Sequence, residues 1–232
     1  MSAADERVVA QDITFPFGSG TRPAYLALPT GEGPFPGVVV IHEISGLTPN
    51  IQDIARRFAA EGYAALAADL FSGRNRAMCM FRLIGQLRIR TLDNAALDEL
   101  KAALSYLAAR SEVDAAHLGA VGYCMGGSFA VAWACTDDRL QAIAPYYAMN
   151  PRTLEAVRRA CPVVGSYPGD DFTAGAGRKL DTALATYGVA HDIKVYPGAK
   201  HSFFNDQRSH YNAAAAADSW QRVLAFFKEH LG

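Results

Sequence analysis

From residue 37 onward the chain alternates short apolar runs with segments of helical periodicity, an order that few architectures accommodate. "VVVIH" (38–42), "YAALAADLF" (63–71), "HLGAVGY" (117–123), "AIAPYYA" (142–148) and "PVVGSY" (162–167) are apolar almost throughout. Strands of that kind are covered on both faces, as in a parallel sheet. "HDIKVYP" (191–197) is a further strand. Between the strands, apolar residues recur at helical spacing: Ile51, Ile54, Ala55 and Phe58, then Leu92, Ala96, Leu100, Leu104 and Leu107. Thr48 offers a cap and Pro49 a first helical position for the earlier of these helices. "MGGSFAVAWAC" and "AGRKLDTALATYG" read as helices, "PRTLEAVRRA" as a short one opened by proline, and 210–231 as a closing helix. Ahead of residue 37, "RVVAQDITF" and "RPAYLALP" flank a glycine-rich turn and form an antiparallel hairpin. The prediction is an α/β fold, a mostly parallel central sheet of about eight strands with helices on both faces. Residues 1–232 read as one domain, with 71–90 a loop or lid containing some helix. Ligands of such sheets bind outside the carboxyl ends of the strands.

Composition excludes several functions. Half the residues are apolar and the formal net charge is −1, so no basic face predicts nucleic acid. No apolar stretch approaches the roughly 18–20 residues of a membrane span. Asp5 and Glu6 stand where a secretion signal needs cations, and a cytoplasmic location is the expectation. The four cysteines, Cys79, Cys124, Cys135 and Cys161, have neither a disulfide-framework nor a zinc spacing. "HEISG" departs from HExxH at Gly46, so no metal or other cofactor is expected.

"VGYCMGGS" (121–128) carries the chemistry. It places Cys124 between a strand and a helix, as G-x-C-x-G, the thiol form of the G-x-S-x-G nucleophile elbow. Gly122 and Gly126 remove side chains that would clash across so sharp a turn, and Gly127 lets the helix approach the sheet. The helix N-terminus favours a thiolate, and the Met125 N–H is placed to hold an oxyanion. A small buried cysteine at such a junction is also ordinary packing. What separates the two is the rest of the chain, since an elbow nucleophile needs an acid and then a histidine after later strands. "PGDDF" offers Asp170 and Asp171, and "GAKHSFFND" offers His201. The order nucleophile, acid, base is that of the α/β-hydrolases.

Together "VVVIHEISGL", "RFAAEGYAALAADLF", "VGYCMGGSFA", "GSYPGDD" and "VYPGAKHSFFND" resemble the dienelactone hydrolase family over nearly the whole chain. The resemblance implies an α/β-hydrolase fold and a Cys-Asp-His triad of Cys124, Asp171 and His201. It implies that Glu43 takes part in activating the thiol and that the Ile44 N–H joins Met125 in the oxyanion hole. In one place the chain departs from the family. Asn205 occupies the position, four residues after the histidine, where an arginine holds a substrate carboxylate. The family's second such arginine comes from 71–90, where Arg74, Arg76, Arg82 and Arg88 compete and Arg82 is the candidate adopted here. Phe203, Phe204 and Tyr147 are candidates to line an apolar pocket. The expected activity is hydrolysis of a small ester or lactone through an acyl-thiol intermediate. A non-catalytic scaffold that binds a small ligand, and a redox sensor built on Cys124, are the rival classes.

Overall fold

The structure is a computed structural model that describes residues 7–72, 76–89 and 91–232. Its elements run β1 (Val8–Phe17), β2 (Gly20–Pro29), β3 (Phe35–Ile41), α1 (Pro49–Ala60), β4 (Ala64–Ala68), α2 (Arg76–Ile89), α3 (Ala95–Ala108) and β5 (Val113–Tyr123). They continue α4 (Met125–Ala134), β6 (Leu140–Tyr146), a 3-10 turn (Leu154–Arg159), β7 (Val163–Pro168), α5 (Ala174–Thr186), β8 (His191–Tyr196) and α6 (Ala213–Leu231). The eight strands form one sheet in the order β1-β2-β4-β3-β5-β6-β7-β8. β1 pairs antiparallel with β2 and β2 with β4, while every pair from β4–β3 to β7–β8 is parallel. This is the α/β-hydrolase architecture, with the hairpin at the edge the sequence predicts.

The continuous apolar runs are explained by what covers them. On one face α1 and α6 bury Ile51, Ile54, Phe58, Val223 and Phe227 against Val38, Val40 and Ala65. Phe58 packs on Trp220 at 4.7 Å between ring centres. On the other, Leu97, Leu100 and Leu104 of α3, Phe129 of α4 and Leu180 of α5 meet Val39, Ile41 and Leu66. Full burial of each large side chain contributes about 1.5–3 kcal/mol. Strand alternation thus sends successive side chains into two different cores.

Three local expectations need correction. Residues 76–89 form a continuous helix rather than a loop with some helix, since the segment is rich in Arg, Met, Leu and Gln, all good helix formers. "PRTLEAVRRA" closes into a 3-10 turn rather than an α-helix. Thr48 occupies the cap position of α1 but its side chain makes no capping hydrogen bond. The caps that do bond are asparagines: Asn94 accepts from the Ala96 and Leu97 N–H groups, and Asn212 from that of Ala215.

Candidate active site

β3, β5, β6, β7 and β8 all end on one edge of the sheet, and the loops leaving them carry Glu43, Cys124, Tyr147, Asp171 and His201. Cys124 has φ 54° and ψ −114°, a sparsely populated conformation that costs about 1–3 kcal/mol and is held by its surroundings. Its N–H donates to the Tyr146 carbonyl at 3.0 Å, and its carbonyl accepts from the Ser128 N–H at 3.1 Å. A Cβ on Gly122 would run into the Gly126 carbonyl across the turn. At Gly126 the obstacle is different: a Cβ there would strike the carbonyls of Ile41 and His42 at the end of β3. At Gly127 it would lie 2.7 Å from the Tyr146 carbonyl oxygen, so this glycine sets how closely α4 packs on the sheet.

Burial pushes the Cys124 thiol up, the Glu43 carboxylate adds to the shift, and the Met125 N–H opposes it, leaving the group at about 11. The helix N-terminus therefore acts in the direction the sequence predicts but is outweighed. The resting group at neutral pH is the thiol. Its alkylation rate with iodoacetamide is expected to climb about tenfold per pH unit from pH 7 to 10 without levelling off, because only the thiolate reacts. A plateau near pH 8–9, mapped to Cys124 by peptide mass, would show an ordinary cysteine.

Asp171 and His201 are brought together by the turns that follow β7 and β8. His201 Nδ1 lies 2.8 Å from Asp171 Oδ2. A carboxylate only accepts, so Nδ1 carries the proton and Nε2 is left as the basic nitrogen. Burial works to raise the Asp171 carboxyl, but hydrogen bonds from Thr173 and His201 outweigh it and hold the group below its ordinary value. Asp170, exposed, donates its backbone N–H to the Ala199 carbonyl. The imidazole sits between Tyr147 and Phe172, at 5.0 and 5.5 Å between ring centres, with Phe172 nearly parallel to it.

Glu43 is 4% exposed and heavily solvated by side chains. Tyr147 Oη and Ser202 Oγ donate to its Oε1 at 3.3 and 3.1 Å, and Asn205 Nδ2 donates to Oε2 at 3.5 Å. Arg208 Nη2 stands 3.9 Å from Oε2 and donates to Ser45 Oγ at 2.8 Å. Asn205, at the position of the expected arginine, thus bonds Glu43, and the cation near Glu43 is Arg208. Turns at Ser202–Asn205 and Asn205–Arg208 fold the chain back to put it there. His42 fixes the loop from beneath: its Nε2 accepts from the Leu70 N–H at 3.1 Å and its Nδ1 donates to the Glu43 carbonyl at 2.6 Å.

Cys124 and His201 both line two cavities. The larger, about 550 Å³, is walled by Ile84, Leu87, Met125, Tyr147, Met149 and Phe172 among others. The smaller, about 240 Å³, adds Glu43, Ser202, Arg208 and His210. Ile44, 46% exposed, borders both. Three of the proposed substrate contacts stand elsewhere, Phe204 among them, which is 2% exposed and packs on Tyr123, Tyr146 and Trp220. Phe203 is 0% exposed and packs in the core on Tyr147 and Tyr196, while Phe172 takes the place at the cavity wall. α2 presents Ile84 and Leu87 to the cavity rather than Arg82, whose Nε is buried. Arg74, and the side chains of Arg76, Cys79 and Arg88, lie outside the described residues. Among the described residues no group of three His, Cys, Asp or Glu side chains is placed to hold a metal ion, and no helix is long and apolar enough to cross a membrane.

Residues 23–231 match the sequence profile of the dienelactone hydrolase family. The chain belongs to the dienelactone hydrolase family. A relative from Saccharolobus solfataricus, provisionally named carboxymethylenebutenolidase, is 34% identical over 242 residues, covering 88% of this chain and 93% of its own. One from Escherichia coli K12 with the same provisional name is 32% identical and covers 98% and 90%. Among solved structures, a provisional dienelactone hydrolase from Klebsiella pneumoniae superposes with a TM-score of 0.84 at 29% identity, covering 96% of this chain and 99% of the other. A dienelactone hydrolase-like promiscuous phosphotriesterase from metagenomic libraries reaches 0.85 at 27% identity, covering 97% and 100%. An esterase from Pyrobaculum calidifontis, at 16% identity and 0.73, shares the fold. As a member of this family the chain is a hydrolase acting on carboxylic esters or lactones.

Proposed function

We propose that this member of the family cleaves a small ester or lactone through an acyl-thiol intermediate on Cys124, with residues 1–232 acting as one catalytic domain. The observation that carries the reading is the His201–Asp171 hydrogen bond, which leaves Nε2 as the base in a cavity that Cys124 also lines. His201 takes the thiol proton as sulfur attacks the carbonyl carbon. The charge that develops on the carbonyl oxygen is held by the Ile44 and Met125 N–H groups. Collapse breaks the ester C–O bond, and His201 returns the proton to the leaving oxygen. A water then gives His201 a proton as it attacks the thioester, and the acid product leaves with Cys124 again a thiol. Glu43 beside the thiol keeps it protonated, and therefore resistant to oxidation, until substrate arrives and the carboxylate helps draw the proton away.

The test is an aryl acetate assay on chains progressively alkylated at Cys124. Turnover is expected to fall in proportion to the fraction modified and to reach zero with it. Full turnover by completely alkylated protein would move the reaction to another residue. Wild-type protein that turned over neither aryl acetate nor a lactone would favour the ligand-binding scaffold.

A further inference from the structure

The two cavities that meet at Cys124 and His201 differ in size and in the ionisable side chains on their walls, and the difference bears on what the substrate can be. The larger is walled mainly by apolar side chains, and most of the polar groups on its wall away from His201 are already engaged. Ser128 Oγ accepts from the Met149 N–H at 2.8 Å and lies 3.3 Å from the Cys124 carbonyl. Thr91 Oγ1 donates to the Leu87 carbonyl, Thr173 Oγ1 to Asp171, and Asn150 Nδ2 to the Ala176 carbonyl. The cation on this wall, Arg152, is itself partnered. Asn150 Oδ1 is buried and has no donor among the described residues, which adds an oxygen that would repel an anion. Arg208 lines the small cavity only, where it faces Glu43 and Ser45. Among the described residues the cation at this wall is the already partnered Arg152, so a carboxylate in the large cavity would lose its water for little return, whereas each methylene placed there is stabilised.

From this contrast we infer that the substrate carries a neutral, apolar acyl group of several carbons, seated in the large cavity against Ile84 and Leu87 of α2. The leaving group, and then the water that cleaves the thioester, use the small cavity beside Glu43 and Arg208. The assignment follows from the second half-reaction. Water must reach the thioester while the acyl chain still fills its own cavity, and the side lined by Ser202, Arg208 and His210 is the one left open to it and offers it hydrogen-bonding side chains. The inference rests on the reading of Cys124 as the acylated residue.

A series of nitrophenyl esters from acetate to octanoate, with a dicarboxylic monoester of matching length, tests it. Wild-type kcat/KM is expected to rise roughly threefold per methylene until the cavity is filled. The monoester, anionic at its far end, should fall on the order of a hundredfold below the neutral ester of equal length. Ile84→Glu should cut the octanoate-to-acetate ratio at least tenfold, while Ile84→Trp, which takes up volume without charge, should shift the preferred chain to a shorter one. A flat or falling series, or preference for the anionic ester, with turnover still lost on Cys124 alkylation, overturns the inference and leaves the hydrolase reading standing. Absence of turnover across the whole series, anionic member included, overturns both.

Discussion

A Cys124→Ala chain is expected to fold as the native one and to hydrolyse no ester measurably above background. The side chain lost is small and borders a cavity, so little packing goes with it. The positive φ is a feature of the elbow, and alanine bears it as cysteine does. Chemically the change is severe, because the oxyanion donors and the cavity remain but nothing forms the covalent bond. Loss of the nucleophile in a serine protease lowers kcat by about six orders of magnitude, and a loss of that order is expected here. The measurement is kcat on an aryl acetate beside a thermal melt. A variant with a native melting temperature and more than a hundredth of wild-type activity would remove Cys124 from the mechanism.

Asp171→Asn should have the second largest effect and Asp170→Asn almost none. Asparagine can donate to Nδ1, which moves the imidazole proton to Nε2, where it blocks the base. The corresponding change in the serine-protease triad costs about four orders of magnitude with the geometry intact, and roughly three to four are expected here. The hydrogen bond to His201 Nδ1 is made by Asp171 while Asp170 is exposed, so replacing Asp170 should stay within about threefold. Equal losses at the two positions, measured as kcat/KM on one ester, would contradict the assignment. The depressed Asp171 carboxyl also has a stability consequence with a definite sign. Its contribution is fully present above the unfolded value near 4 and is lost only as pH falls below it.

Where side chains are covered on both faces, the sequence states the structure openly. "VVVIH" and "YAALAADLF" could hardly be anything but central strands, and the loops that carry the site leave four covered strands, β3, β5, β6 and β7, and the edge strand β8 on one edge of the sheet. α2 was hard to read for the opposite reason. Its apolar residues point several ways, Leu83 inward and Met78, Phe81 and Ile89 outward, so no single-face period marks it. Cys124, Asp171 and His201 are legible because each follows a strand within a few residues. The surroundings of Glu43 are not, since Arg208 reaches it only through two successive turns. The place of Phe203 is hidden for want of that same detail: Ser202 has φ 63° and the side chain after it is buried in the core, while Phe172 stays 73% exposed beside His201. The thiol shows the same limit, because the helix end is visible in the sequence and the burial that outweighs it comes only with the packed fold.

The most direct test of the account is the mass of the chain itself, caught during turnover. Mixing the enzyme with excess aryl ester, quenching in acid within the first turnovers and weighing the intact protein should reveal one added acyl group per chain. Digestion should place it on Cys124 as a hydroxylamine-labile thioester, and His201→Ala should accumulate none. An enzyme that turns over the ester with its mass unchanged at every quench time, or with the acyl group on another residue, would contradict the central claim.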